Sequence, residues 1–250
     1  MIDFHSHILP GIDDGAQDVE TSIKMLSVAG ESGVKTILAT SHCHPMNQER
    51  IDIFLEKRSD AFNVLSGAIK KQKAKLPTII PAAEVHIYDG LHELSGIEKL
   101  CISGTNYILL EMPYGQWKDY AFEEIYRLTR LGFRPIIAHL DRFLDQKKSF
   151  SEIFSLNPLI QINSSAFIES ATRKKMLQLF ESGHIQVLGS DTHNLSTRSP
   201  DVAKAYSIIE KKLGKEYVDY INESGNAILK SDDVASSNFS KTGILKKIFI

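Results

Sequence analysis

Two histidines stand two residues apart at the start of the chain, His5 and His7 in MIDFHSHILPGIDDG, and two acids, Asp13 and Asp14, follow at once. A second pair, Asp191 and His193, sits in SDTHN. On extended backbone, residues i and i+2 face the same side, so each pair can aim into one cavity. Between the pairs lie His42 in SHCHP, Glu84 in AAEV, Glu111 in LLEMP and His139 in IAHLDR. Imidazoles and carboxylates without clustered thiolates suit zinc, manganese or iron, and carboxylates can bridge ions. The set predicts a centre with more than one metal ion.

Such residues must be carried to one place by the elements that precede them. Short apolar, β-branched runs recur at 1–5, 35–41, 78–85, 107–112, 135–139, 159–163 and 185–191. Their near-continuous apolar character predicts strands buried on both faces of a parallel sheet. Helical periodicity lies between them, in VETSIKMLSVAGESG, AFEEIYRLTRLG and KKMLQLFESG, with a long charged helix, continuous or broken, over 49–75. Strands alternating with helices predict an α/β chain, and the count suits a (β/α)₈-type barrel one unit short. An open doubly wound sheet is the alternative. Each strand run ends in a polar side chain: His5 and His7, His42, Glu84, Glu111, His139, Asn163, then Asp191 and His193. The C-terminal strand ends carry the site in such folds, so seven coincidences point to one active centre.

Composition narrows the rest. The chain has 250 residues, 42% hydrophobic and 24% charged, with net charge −2. No basic footprint for nucleic acid appears. No window is apolar enough to span a bilayer, and the start lacks the basic and apolar regions of a signal peptide. Two cysteines, Cys43 and Cys101, fit a reducing cytoplasm. A cysteine-based phosphatase needs an arginine six positions after the cysteine, where Cys43 has Glu49 and Cys101 has Tyr107. Residues 1–230 read as one domain, and 231–250 as a polar tail with a short basic-apolar end. Several residues have plainer readings. Asp13 is expected to be a turn residue in DDG. His44, His86 and His92 are expected at the rim or surface, and His184, before a strand, is expected to be structural.

In this order, HSH, DDG, TSHCHP, AAEV, LLEMP, IAHLDR, INSS and SDTHN resemble the PHP (polymerase and histidinol phosphatase) superfamily. Within it, the likeness is to the bacterial tyrosine-protein phosphatases of the capsular polysaccharide CpsB/CapC type, from residue 1 to about 230. The resemblance implies a distorted (β/α)₇ TIM-like barrel and three divalent ions, often manganese. It implies one ion on His5, His7, Glu84 and Asp191, and a second on Glu84, Glu111 and His139. Asp14, His42 and His193 would hold the third. Arg142 in AHLDR and Arg198 in HNLSTRSP would bind phosphate. One departure is SHCHP, where better-known relatives carry basic residues after SH. The implied partner is a phosphotyrosine protein, the tyrosine-rich segment of a bacterial tyrosine autokinase that controls polysaccharide export.

Charge counting agrees with phosphate chemistry. Three divalent ions outweigh Asp14, Glu84, Glu111 and Asp191, leaving a positive pocket between two arginines. Metal binding lowers the pKa of water and supplies the nucleophile, so no phosphoenzyme is needed. His42 and His193 stand where they could assist the leaving group. Three other readings stay open: a histidinol-phosphate type of small-molecule phosphatase, a metal-dependent amidohydrolase and a non-catalytic metal-binding domain. The second is opposed by the lack of a strand-end lysine in the middle of the barrel.

Overall fold

The computed structural model describes residues 1–144 and 146–239. Nine strand segments lie in chain order: β1 (Ile2–Asp3), β2 (Thr36–Ala39), β3 (His42–Cys43), β4 (Thr78–Pro81), β5 (Glu84–His86), β6 (Tyr107–Glu111), β7 (Arg134–Ile137), β8 (Leu159–Asn163) and β9 (Val187–Gly189). All pair in parallel, as β1-β2-β4 and as β3-β5-β6-β7-β8-β9. The two arrays are consecutive parts of one wall, because β2 runs into β3 through Thr40–Ser41 and β4 into β5 through Ala82–Ala83. The ring closes between β1 and β9, where Phe4 N–H donates to Leu188 O at 3.0 Å and Asp191 N–H to His5 O at 2.7 Å. His7 N–H donates to Thr192 O at 2.9 Å beside them. Seven strand positions thus form a (β/α)₇ barrel, and the open-sheet alternative is excluded.

The outer layer holds α1 (Val19–Glu31), α2 (Gln48–Ile69), α3 (Asp119–Arg130), α4 (Lys147–Ser155), α5 (Ser165–Ile168), α6 (Ser170–Glu181), α7 (Val202–Leu213) and α8 (Lys215–Leu229). Side-chain caps start the first two. Asp18 accepts from Thr21 N–H at 2.7 Å and Asn47 from Arg50 N–H at 3.0 Å. The charged helix expected over 49–75 is one unbroken helix that ends at Ile69. The third crossover differs from the simple scheme: 3₁₀ turns at Leu91–Glu93 and Ile97–Leu100 replace an α-helix. Buried Glu124 of α3 ties that segment down, accepting from the N–H groups of Gly90 at 3.0 Å and His92 at 2.9 Å. His92 also presents its ring to Glu124 at 2.9 Å, so it is a packed tether, not a surface residue.

Alternation along the strands sorts the core. Ile108 and Leu110 of β6 pack with the helices in the main cluster, whereas Tyr107 and Leu109 join Ile136, Ala138 and Val187 within the barrel. His184 stacks on Phe154 with ring centroids 4.2 Å apart, in keeping with a structural role. The chain after α8 crosses the N-terminal end of the barrel. Tyr107 Oη donates to Asp232 O at 2.7 Å, Arg134 pairs with Asp233 at 2.7 Å, and Phe239 stacks on Tyr217 at 3.8 Å. The basic-apolar end at 241–250 lies outside the described residues.

Candidate metal centre

At the opposite, C-terminal end of the barrel the predicted residues converge. His5 and His7 follow β1, His42 opens β3, Glu84 opens β5 and Glu111 closes β6. His139 follows β7, and Asp191 and His193 follow β9. His139 and Asp191 take left-handed backbone, with φ of 32° and 53°. Such residues carry local strain that the surrounding packing must support, and they cluster at functional sites.

The innermost group is fully buried. His5 Nε2 and His7 Nε2 lie 3.1 Å apart. Glu84 Oε2 is 3.2 Å from the first and 3.3 Å from the second, and Asp191 Oδ1 is 3.6 and 3.4 Å away. Their tautomers follow from what each ring touches on its other side. Gln161 Oε1 accepts from His139 N–H at 2.7 Å, so it is the amide oxygen that faces His5 Nδ1 at 3.1 Å. Asp13 Oδ2 faces His7 Nδ1 at 2.8 Å. Both Nδ1 atoms therefore donate, and both Nε2 atoms turn lone pairs toward the same point. Two acceptors at that distance repel unless a cation or proton lies between them.

A second group adjoins Glu84. His139 Nε2 lies 2.6 Å from Glu84 Oε1 and 3.8 Å from Glu111 Oε1, and His42 Nδ1 lies 2.8 Å from Glu84 Oε2. An outer group faces solvent, with Asp14 Oδ1 at 3.3 Å from His193 Nε2 and 3.5 Å from His42 Nε2. His193 Nδ1 donates to Asp191 O at 2.9 Å, which leaves its Nε2 as the free lone pair. One ligand atom each from His7, Asp14, His42 and His193 lies within 4.8 Å of the others, as for His5, His7 and Glu84, and for His42, Glu84 and Glu111. These groups differ from the implied sets. His7 and His42 are shared between neighbouring groups, while Asp191 and His139 fall outside the tightest ones. Asp191 Oδ1 lies 3.4 and 3.6 Å from the His7 and His5 Nε2 atoms, and His139 Nε2 lies 2.6 Å from Glu84 Oε1.

The donor chemistry fits divalent ions. Glu84 Oε2, Asp191 Oδ1, His42 Nδ1 and His193 Nε2 are buried atoms that make no well-aligned hydrogen bond, even though Glu84 Oε2 and His42 Nδ1 lie 2.8 Å apart and Arg198 Nη2 lies 2.6 Å from Asp191 Oδ1. Buried polar atoms are rarely left so, and four in one cluster mark a place built for cations. Electrostatics agree. Burial works against charge on Glu84 and Asp191, yet the His5 charge and the other cations around them hold both carboxyls well below the usual range. Burial, with His7 and Arg198 nearby, pulls His193 down to about 4, so it is a neutral imidazole at pH 7. Arg142 and Arg198 flank the cluster. Arg142 Nη2 pairs with Asp191 Oδ2, and Arg198 Nη2 lies 2.6 Å from Asp191 Oδ1. The Arg198 loop is held by its own carbonyl, which accepts from the N–H groups of His193 and Asn194 at 3.0 and 3.2 Å and from Thr192 Oγ1 at 2.8 Å. A cavity of about 370 Å³ opens beside the two arginines.

Asp13 requires correction. It makes the expected turn, accepting from Gly15 N–H at 3.0 Å, but it is also buried beneath His7 and takes His42 N–H at 2.9 Å. Burial would raise its carboxyl, and the bond to His7 overrides this and holds it far below the usual range. His86, 26% exposed, stands at the rim as expected but also reaches inward, its Nδ1 lying 3.1 Å from Glu111 Oε2. His44 is exposed, at the rim as expected. Sequence reasoning also passed over Gln161. Its Nε2 donates to Asn163 Oδ1 at 3.0 Å, and Asn163 Nδ2 donates to Asp191 Oδ2 at 3.0 Å. One chain of bonds thus joins His5, His139 and Asp191. The signal was present: Gln161 is the polar residue inside LIQIN, two before Asn163 and on the same face. Two glycines let the walls close. A Cβ on Gly189 would lie 2.3 Å from His5 Cβ, and one on Gly15 would lie 2.2 Å from His7 O.

Both cysteines are buried and free, and burial pushes each thiol up to about 12. A thiolate nucleophile has no support here.

Comparison with known proteins agrees with this geometry. Residues 1–230 match the family described as capsular polysaccharide synthesis, CpsB/CapC. Tyrosine-protein phosphatase YwqE of Bacillus subtilis is 29% identical over 242 residues, covering 94% of this chain and 93% of that protein. Tyrosine-protein phosphatase CpsB of Streptococcus pneumoniae is 30% identical over 225 residues, covering 86% and 91%. A crystal structure from a study of these two proteins, described there as unique metal-dependent tyrosine phosphatases, superposes with a TM-score of 0.79 at 26% identity, covering 95% of this chain and 97% of that one. A TatD-family hydrolase from Entamoeba histolytica, at 10% identity and a TM-score of 0.55, shares the fold alone, covering 92% and 98%. The barrel, its strand-end histidines and acids, and the match across residues 1–230 make this chain a member of the CpsB/CapC family of capsular polysaccharide synthesis.

Proposed function

We propose that the protein is a metal-dependent protein-tyrosine phosphatase that hydrolyses phosphotyrosine on protein substrates. The observation that carries this reading is the convergence of His5 Nε2, His7 Nε2, Glu84 Oε2 and Asp191 Oδ1, the two nitrogens lying 3.1 to 3.6 Å from each other and from the two oxygens, with four buried atoms of the cluster lacking a well-aligned hydrogen bond. In this reading three divalent ions, manganese before iron or zinc, are held by His5, His7, Asp14, His42, Glu84, Glu111, His139, Asp191 and His193. When bound, they supply positive charge for the phosphoryl oxygens and lower the pKa of water to give a nucleophile at neutral pH. The protein groups do the rest. Arg142 and Arg198 orient the phosphate and stabilise charge as it builds on the equatorial oxygens. Any help to the leaving oxygen falls to His42, which is partly open, because His193 is buried and neutral and gives its Nδ1 proton to Asp191 O. A phenolate leaves with a conjugate acid of pKa near ~10, so it needs less protonation than an alkoxide.

The substrate in the cell is taken to be the tyrosine-rich segment of a bacterial tyrosine autokinase, in keeping with the polysaccharide-synthesis family. Two buried, unpaired cysteines favour a cytoplasmic setting. None of the described helices is long and apolar enough to cross a membrane. The test compares a phosphotyrosine peptide with histidinol phosphate, each with and without chelator. Turnover of the peptide, lost in chelator and restored by Mn²⁺, supports the reading. Full activity in excess chelator, or turnover of histidinol phosphate alone, contradicts it.

A further inference from the structure

The mouth of the site has two unlike walls. On the side of Arg142 and Arg198, the cavity is lined by Asp141, Glu169, Ser199 and Asp201, which offer carboxylates and a hydroxyl but no aromatic face. Outside that lining, the loop after β6, the strand next to β7, raises Tyr114. Its side chain is 70% exposed, although its Oη donates to Glu111 Oε1 at 3.0 Å. Among the described residues, Tyr114 and Tyr126 are the exposed Phe, Tyr or Trp side chains; Tyr126 lies on α3, in the outer layer, and the exposed His44 imidazole lies against His42 and His86.

An exposed ring normally samples several rotamers. This one is pinned at its tip to a carboxylate of the cluster, and its loop is pinned as well. Gln146 Nε2 donates to Gly115 O at 2.8 Å, joining the Tyr114 loop to the segment just after the Arg142 turn. β6 pairs with β7, whose C-terminal end leads to Arg142, so Tyr114 and Arg142 follow neighbouring strands. A phosphoryl group seated between the arginines and the cluster must send its ester oxygen, and whatever that oxygen carries, out through this mouth. The held aromatic face there is Tyr114.

We propose that Tyr114 is a specificity residue that selects aryl over alkyl phosphomonoesters, its ring forming the wall against which the phenyl ring of the substrate packs. The proposal rests on the phosphatase reading above. An offset-stacked or edge-to-face aromatic pair, together with the area it covers, corresponds to roughly tenfold in selectivity. The hydroxyl has a separate task, positioning Glu111.

The experiment measures kcat/KM for phenyl phosphate divided by that for ethyl phosphate, in the metal-supplemented wild type, Tyr114→Ala and Tyr114→Phe. Dissociation constants for phenylphosphonate and methylphosphonate give a readout free of turnover. Tyr114→Ala is expected to lower the aryl-to-alkyl ratio about tenfold and to weaken phenylphosphonate far more than methylphosphonate. Tyr114→Phe is expected to keep the ratio within about twofold of wild type, even where the lost hydroxyl slows both substrates. An unchanged ratio in Tyr114→Ala overturns the proposal. So does an equal fall of the ratio in both variants, which would assign the effect to the hydroxyl and Glu111. A wild type that hydrolyses neither phosphate overturns the phosphatase reading and this proposal with it, an outcome distinct from an active wild type whose ratio ignores Tyr114.

Discussion

The inner group of His5, His7, Glu84 and Asp191 and the outer group of Asp14, His42 and His193 use the same side-chain types but are held differently. In the inner group every ligand-type residue is buried, and the two histidines are each fixed from behind, by Gln161 and Asp13. In the outer group Asp14 is 67% exposed and has no such brace, and His42 is partly open, while His193 alone is buried and braced, by Asp191 O. Orientation by a partner raises the basicity of a ligating histidine and removes the cost of ordering it on binding. The inner ion is therefore expected to be tight and indispensable, and the outer one weaker and exchangeable. Shared His7 and His42 link the two, so disturbance of one group is felt in the other.

Breaking the inner group should have the largest effect. His5→Ala or Asp191→Ala is expected to remove activity by about 10³-fold or more while the circular dichroism spectrum stays native, since several kcal/mol of charge stabilisation are lost. Retained activity in either variant would contradict the comparison. Next come the phosphate binders: Arg142→Ala and Arg198→Ala are each expected to cost about 10²-fold in kcat/KM at unchanged metal content. If KM and kcat are both unchanged, these arginines do not bind phosphate.

The braces come third. Asp13→Ala or Gln161→Ala should weaken metal binding by about 10- to 100-fold without removing a ligand, read by titration of the metal against a chelating indicator. Asp14→Ala tests the other side of the comparison. It should lose the outer ion and keep the inner ones, so metal content falls by one per chain. Loss of all metal would mean that the groups are not separable as described.

The smallest expected effect is on protons. Burial opposes charge on His7, but Asp13, Asp191 and Glu84 outweigh it and hold its pKa well above the usual value. In stripped protein His7 thus carries a proton at neutral pH that metal must displace. Metal binding at pH 7 should release protons, and apparent affinity should climb with pH through neutrality. Calorimetry in buffers of different ionisation heat measures this, and no proton release would contradict it. Asp13, Glu84 and Asp191 act in the opposite sense, because their folded pKa values are depressed. Their contribution to stability is present above about pH 4, the unfolded value, and is lost as pH falls through the lower folded values.

Much of this was legible in the sequence because a parallel barrel delivers each strand's last residue to one end. The runs ending in His5, Glu111, Asn163 and Asp191 needed only hydrophobic patterning to be placed. What stayed hidden depends on contacts between distant segments. Asp13 and Asp14 are adjacent in DDG and chemically alike, and only packing against the His7 ring separates the buried brace from the exposed ligand candidate. His86 and Tyr114 became visible only when β5 and β6 were set side by side around Glu111. The third crossover lacks helical periodicity, and its 3₁₀ turns rely on a carboxylate from α3 that no local pattern announces. TIIPAAEV read as one strand and is two, interrupted where Ala82 and Ala83 shift the wall between its two arrays.

We propose that one end of this barrel is a multi-metal centre whose inner ion is held by His5, His7, Glu84 and Asp191. The most direct test of this proposal is elemental analysis of wild type and His5→Ala after dialysis against a weak chelator. Manganese, iron or zinc is expected to be retained at one or more equivalents in wild type and lost from the inner position in the variant. Equal metal content in the two proteins, or none in wild type even after loading, would contradict it.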